Sequence, residues 1–169
     1  LGAYNSSVTA SASQMAEAAG IPFLNATSTS PTLSERGYKW FFRTTADDAI
    51  FAYNFFEFLQ DVDQLQGLGT RDVAIVYENT LWGTGVSQME KIYAGQFGFN
   101  VVADVPYVSG ADSVETEVQT LLEAGDPIVM QASYLNDAVL CVRIYEEMGF
   151  QRTVGHGRGL RQPQRSLGR

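Results

Sequence analysis

The chain has 169 residues, of which 45% are apolar and 12% aromatic, and its formal net charge is −8. This composition excludes a disordered chain and supplies a sizeable core, in one domain or in pieces of two smaller lobes. One cysteine and one histidine exclude an internal disulfide and a Cys/His zinc site. The acidic balance argues against a nucleic-acid partner, because phosphate repels a carboxylate-rich surface. No apolar run approaches the ~18 residues that a membrane span needs.

The charge is divided unevenly along the chain. Residues 1–151 hold all 19 acidic and six of the 11 basic residues, a net −13, whereas residues 152–169 hold five arginines and no acid. A frameshift or misassembled gene end would produce an unrelated, disordered basic tail of this kind. A genuine tail that contacts an anionic partner is the alternative. The chain also opens at Leu1 like the end of a strand, so we expect both ends to be cut points.

Apolar periodicity predicts alternating strands and helices with short connections. The run over 72–77 is continuous, which is typical of a strand buried on both faces of a parallel sheet. Strand–helix–strand units of this length form right-handed parallel crossovers, so the predicted fold class is α/β. In chain order the spacing predicts helix 5–19, strand 21–24, loop 25–34, strand 38–43, helix 47–62, strand 72–77, helix 84–98, strand 101–107, helix 113–124, strand 127–131 and helix 136–148.

The same periodicity predicts which side of each helix faces the core. Cys141 falls near the apolar side of the last helix, where a buried, inert thiol is expected. Thr45 or Asp47 is expected to cap the helix over 47–62. The predicted inward residues are Val8, Ala12, Met15 and Ala19 in the first helix, Phe51, Phe55, Phe58 and Val62 in the second, and Ala138, Val142 and Tyr145 in the last.

Enzyme signatures are weak in this sequence. Gly83-Thr84-Gly85 follows a strand and opens a helix, but Gln88 stands where a dinucleotide-binding loop has its third glycine. Neither a phosphate-binding P-loop nor a serine nucleophile elbow is present. His156 lies in the basic tail, so a serine or cysteine nucleophile has no base to pair with. We therefore predict neither a cofactor nor an enzyme.

Hydroxyl side chains cluster where two predicted strands end. Ser6 opens the first helix just beyond the strand end expected at 1–4, and Thr27, Ser28 and Thr29 follow the strand over 21–24. Ligands of open parallel sheets bind at the carboxyl ends of strands, and free N–H groups at a helix start favour a carboxylate. Ordinary N-capping and loop composition explain each single hydroxyl equally well.

Two aromatic residues also follow predicted strand ends. Trp82 comes after the strand over 72–77, and Tyr134 comes after the strand over 127–131. Either ring could cover an edge of the core, but together they would form the walls of an apolar pocket.

Several motifs in residues 1–151 resemble a known family, the type I periplasmic binding proteins of branched-chain amino acid ABC transporters. They are Gly2-Ala-Tyr-Asn-Ser-Ser-Val-Thr9, Gly20-Ile-Pro-Phe-Leu24, Ser30-Pro-Thr-Leu-Ser-Glu-Arg-Gly-Tyr38, Phe42-Arg-Thr44, Tyr77-Glu-Asn-Thr-Leu-Trp-Gly-Thr-Gly85 and Ser133-Tyr-Leu-Asn-Asp-Ala138. The resemblance implies two α/β lobes joined by hinge strands. Residues 1–45 would belong to lobe one and residues 46–151 to most of a lobe-two segment, with 152–169 unrelated. The opening strand and the closing segment of lobe one would then be missing.

The resemblance also implies a ligand-binding site. Ser6 and Thr29 would bind the α-carboxylate of an amino acid, and backbone groups around Thr27 and Ser28 would complete that clamp. Trp82 and Tyr134 would cover the ligand when the lobes close. The acid that binds the ligand's ammonium group would lie beyond residue 151. Thr27 and Ser28 are larger than the residues common at these positions in the family. A ligand other than a branched-chain amino acid is therefore an open alternative.

The role implied is that of a solute-binding component of an ABC importer that closes about its hinge. It would lie in the periplasm or outside the cell, with a lipid anchor as one option and with its export signal upstream of Leu1. Its partners would be a small-molecule ligand, an amino acid or an analogue, and a membrane permease. A ligand-sensing receptor or regulator of the same fold is the alternative, and an enzyme on a similar α/β scaffold is disfavoured.

Overall fold

The computed structural model describes residues 1–125 and 127–150. The helices and strands predicted over 5–148 are all present, and a one-turn helix, α2, lies in the predicted loop over 25–34. The strand end expected at 1–4 is wrong, because these residues form no strand in the structure. The predictions for residues 152–169, His156 among them, lie outside the described residues. The elements are α1 Ser6–Ala18, β1 Phe23–Asn25, α2 Thr32–Glu35, β2 Phe41–Arg43, α3 Asp48–Gln66, β3 Asp72–Glu78, α4 Leu81–Phe97, β4 Asn100–Tyr107, α5 Glu115–Glu123, β5 Ile128–Ala132 and α6 Leu135–Glu147.

The strands form two parallel sheets, which confirms the predicted α/β class. β1 pairs with β2, and β3 lies between β4 and β5 in the order β4-β3-β5. Val73 is in register with Val101 of β4 and with Ile128 of β5. All the pairings are parallel, as expected when helices connect successive strands. The carboxyl ends of β3 and β5 therefore meet at one edge of the sheet.

The core is built on both faces of β3, as its continuous apolar run predicts. Val73, Ala74, Ile75 and Val76 are all buried. Successive side chains of a strand point to opposite faces. Ala74 and Val76 accordingly pack in a cluster with α5 and α6, whereas Val73 packs in a second cluster with residues of α3 and α4.

The predicted inward face of α3 is wrong. Phe51, Phe55 and Phe58 are exposed by 51%, 42% and 56%, and the helix buries Phe56 and Leu59 instead. Apolar residues occur around most of this helix, so the sequence contains two competing apolar stripes. Contact with the cluster around Val73 selects the second stripe.

Two other helices also depart from the predicted inward residues, α1 throughout and α6 in part. In α1, Val8 and Met15 are exposed and the buried side chains are hydroxyls: Ser6, Thr9 and Ser13. The hydroxyls of Thr9 and Ser13 form hydrogen bonds with other segments, with Ser28 and Arg36 respectively, which apolar periodicity does not detect. In α6, Tyr145 packs against the core cluster as predicted, whereas Val142 is exposed and Ile144 is buried beside Cys141.

Candidate functional site

A cavity of about 310 Å³ lies beyond the carboxyl ends of β1, β3 and β5. We call it the ligand cavity. Five of the six predicted site residues line it, namely Ser6, Thr27, Thr29, Trp82 and Tyr134. The sixth, Ser28, does not line the cavity. The remaining lining residues, which sequence reasoning missed, are Tyr4, Asp48, Phe51, Val86, Gln131 and Ala132.

The start of α1 contributes a polar wall of the ligand cavity. Asn5 caps the helix, and its Oδ1 accepts hydrogen bonds from the N–H groups of Ser7 (2.9 Å) and Val8 (3.2 Å). This cap places Ser6, the first residue of the helix, against the cavity. The positive end of the helix dipole therefore points toward the cavity, where it favours a negatively charged group.

The side chain of Ser28 instead shapes the loop that carries Thr27 and Thr29. Its hydroxyl lies 2.6 Å from Thr9 Oγ1 and 2.6 Å from the carbonyl oxygen of Ala3, to which it donates. Asn25 holds the same residue by accepting from the Ser28 N–H (3.0 Å) and donating to the Ser28 carbonyl (2.7 Å). Buried hydroxyl and amide groups are stable only when bonded in this way. The loop is thus fixed before any ligand enters.

Aromatic rings form the opposite wall. The ring centroids of Trp82 and Tyr134 are 4.9 Å apart, and those of Tyr4 and Tyr134 are 5.9 Å apart. Tyr134 also accepts a hydrogen bond of 2.9 Å from Asn5 Nδ2, which joins the loop after β5 to the start of α1. Burial raises the pKa of Tyr134 to about 12, so its phenol stays protonated at neutral pH. Residues on both sides of position 45 therefore meet across one cavity.

Hydrogen bonds to the buried side chain of Glu78 fix the start of α4, which carries Trp82. Glu78, the last residue of β3, is fully buried, and its carboxylate accepts hydrogen bonds from the N–H groups of Thr80 (2.7 Å) and Gly83 (2.8 Å) and from the Thr80 hydroxyl (2.7 Å). A side chain at position 83 would collide with the Glu78 carbonyl oxygen. The Gly83–Gly85 motif thus allows close packing of helix and strand.

Asp48 is the most informative residue that sequence reasoning missed. It lies in the first turn of α3, is only 4% exposed, and its backbone N–H donates to the Thr29 carbonyl (3.0 Å). Its Oδ1 accepts a hydrogen bond of 3.3 Å from Trp82 Nε1, whereas Oδ2 has no partner within 1–125 and 127–150. Burial raises the pKa of this carboxyl above its ordinary value. Its neighbour Asp47 is one of the two predicted caps and accepts a hydrogen bond from the Ile50 N–H (3.2 Å), and no sequence pattern distinguishes Asp48 from an ordinary acid at a helix start.

The described residues contain no cluster of side chains that could hold a metal ion. Among the helices that the structure describes, none has the length and apolarity to cross a membrane. Cys141 is buried in the core as predicted, and burial raises the pKa of its thiol to about 11. Hydroxyl groups, aromatic rings and the Asp48 carboxyl group line the ligand cavity.

Comparisons with known proteins agree with this architecture. A family model described as periplasmic binding protein matches residues 1–162, and so extends into the basic segment. Two curated relatives are Leu/Ile/Val-binding protein homologues of Brucella abortus. Homolog 8 is 31% identical over 163 residues, covering 94% of this chain and 40% of the relative. Homolog 7 is 29% identical, covering 94% of this chain and 41% of the relative. The chain thus spans about two fifths of the length of these relatives.

Solved structures share the fold. An ABC transporter substrate-binding protein from Desulfitobacterium hafniense in complex with Leu has a TM-score of 0.69 and 22% identity, over 89% of this chain and 43% of that chain. An extracellular ligand-binding receptor from Rhodopseudomonas palustris HaA2 has a TM-score of 0.76 and 21% identity, over 89% of this chain and 40% of that chain. The predicted class, a binding protein and not an enzyme, is confirmed by the family match. The chain belongs to the periplasmic binding protein family.

Proposed function

We propose that this chain supplies much of the ligand site of an extracytoplasmic solute-binding protein that serves an ABC importer and binds an amino acid between two lobes. The single observation that carries the proposal is the ligand cavity itself. Hydroxyls of residues 1–45 form one side, and the aromatic rings of Trp82 and Tyr134 form the other. The names of the curated relatives, Leu/Ile/Val-binding protein homologues, support an amino acid as the ligand.

The chemistry of the cavity suits the two charged groups of an amino acid. Ser6 lies at the start of α1 and Thr29 lines the same cavity, where hydroxyls and the helix dipole favour a carboxylate. Asp48, whose backbone N–H donates to the Thr29 carbonyl, offers a carboxyl oxygen without a partner among the described residues for an ammonium group. We assign this second role to Asp48, in addition to any acid that lies beyond residue 151.

The distribution of these groups along the chain supports hinge closure. The carboxylate-binding hydroxyls belong to residues 1–45, whereas Asp48, Trp82 and Tyr134 belong to residues 46–151. A ligand that touches both sets stabilises the closed arrangement more than an open one, and so shifts the population toward closure. The membrane permease would then recognise the closed form, in the periplasm or at the outer surface of the cell. Permease and ATPase genes beside this one would support import, whereas a fused kinase would support sensing instead.

Calorimetry on the longest natural protein that carries this sequence tests the proposal. Leucine, isoleucine, valine and other amino acids are titrated into the wild type and into Ser6→Ala and Thr29→Ala variants. Each variant should weaken binding by about 1–3 kcal/mol, the range for a lost hydrogen bond to a charged group. Ser7→Ala is the matched control, since Ser7 is the exposed neighbour of Ser6. Unchanged affinity in both site variants, or no binding of any amino acid, would refute the assignment.

A further inference from the structure

A second cavity of about 370 Å³ adjoins the ligand cavity, and we call it the inner chamber. The two share Asp48, Phe51, Val86 and Gln131 as lining residues. Five residues line the inner chamber but not the ligand cavity: Ala52, Phe55, Glu90, Val129 and Met130. A group bound in the ligand cavity can therefore extend inward between α3, α4 and β5.

One face of α4 runs along both cavities. Trp82, Val86 and Glu90 are spaced four residues apart and so lie on the same side of the helix. Trp82 lines the ligand cavity, Val86 lines both, and Glu90 lines only the inner chamber. At a rise of about 1.5 Å per residue, the backbone of Glu90 lies roughly 12 Å along the helix from that of Trp82.

Glu90 is a carboxylate in mostly apolar surroundings. It is only 8% exposed, its Oε2 has no hydrogen-bond partner, and it forms no ion pair within the described ranges 1–125 and 127–150. Burial, with a smaller contribution from the charge of Asp48, raises its pKa to about 8. A carboxyl group buried without an opposite charge resists ionisation, so its presence at the end of a cavity points to a cationic partner that would ionise it.

We infer that the inner chamber receives the side chain of an amino acid that ends in an ammonium or guanidinium group, with Glu90 as the counter-ion. The inference rests on the proposed function, which places the α-carboxylate and α-ammonium of the ligand in the ligand cavity. Phe55 and Met130 would contact the methylene groups of the side chain. The charged end would form a charge-assisted hydrogen bond with the free oxygen of Glu90.

Calorimetry with lysine, arginine and leucine tests this inference in the longest natural protein that carries the sequence. Lysine or arginine should bind the wild type about 10-fold or more tightly than leucine, the range of a hydrogen bond between charged groups. Glu90→Leu should abolish or reverse that preference while it retains leucine binding. Glu90→Gln preserves the shape of the side chain, so it should reduce the preference even if Glu90→Leu fails to fold. Glu57→Gln, at an exposed position on α3, is the control.

A second readout separates a counter-ion from a structural role. Titrations at pH 7 in buffers of different ionisation enthalpy measure proton release, and lysine should release close to one proton more than leucine, because binding ionises Glu90. Leucine binding with no preference for lysine or arginine, and with no effect of Glu90→Leu, would overturn the inference and leave the proposed function intact. Failure of all amino acids to bind would overturn both.

Discussion

Gly83 provides the sharpest test of how the ligand cavity is held together. An added Cβ at this position would lie 2.0 Å from the carbonyl oxygen of Glu78 and 3.1 Å from its Cδ. The obstructing oxygen belongs to the backbone of β3, so no side-chain rotation can relieve the contact. The start of α4 would have to move by roughly 1 Å, and the hydrogen bond from the Gly83 N–H to the Glu78 carboxylate would be strained or lost.

The magnitude follows from these two effects. Overpacking a tight site costs about 1–3 kcal/mol, and loss of a hydrogen bond to a buried charged group costs a similar amount. We therefore expect Gly83→Ala to lower the free energy of unfolding by about 3 kcal/mol or more, a large part of the total for a domain. Gly95→Ala, in the same helix, is the matched control, since an added Cβ there meets no atom within 4 Å. It should stabilise by about 0.5–1 kcal/mol, because alanine is the better helix former.

Urea unfolding followed by far-UV circular dichroism measures both variants in the same background. The two should differ by about 4 kcal/mol if the close approach of α4 and β3 is real. Ligand affinity should also fall in Gly83→Ala, because Trp82 precedes the glycine and lines the ligand cavity. A Gly83→Ala variant within about 1 kcal/mol of the wild type would refute the described packing.

Two further predictions concern buried titratable groups. The pKa of Glu90 is raised from 4.5 to about 8 in the folded state, so its contribution to stability is complete below pH 4.5 and is lost as the pH rises toward 8. Urea titrations at several pH values should show that Glu90→Gln removes most of this fall in the free energy of unfolding, whereas Glu57→Gln keeps it. An equal dependence of the free energy of unfolding on pH in the wild type and both variants would contradict the burial of Glu90. Cys141, 1% exposed and with a pKa of about 11, should resist a thiol reagent at pH 8 until urea unfolds the chain, and rapid labelling of the native protein would show that α6 is packed differently.

The lining of the ligand cavity could be predicted only in part. Five of its residues are predicted from the sequence: Ser6 opens a helix, and Thr27, Thr29, Trp82 and Tyr134 follow strand ends, which converge in parallel sheets. Ser28 shares that position in the sequence, but its hydroxyl turns back to the Ala3 carbonyl, which depends on the path of a distant segment. Asp48 and Glu90 could not be found, because acids on helices are most often solvated and only tertiary packing buries these two.

Local sequence alone determined the order and type of the main elements, the parallel α/β class and the family to which the chain belongs. Apolar periodicity and the residue types at strand ends are local properties of the sequence. The uninterrupted apolar run of β3 is typical of a strand buried on both faces, and β3 lies at the centre of its sheet. Tertiary structure decided which face of α1, α3 and α6 is buried. It also decided that Glu90 is buried in an inner chamber that adjoins the ligand cavity. The physical reason is that burial depends on contacts between segments distant in sequence, which select one of several helix faces of similar apolarity.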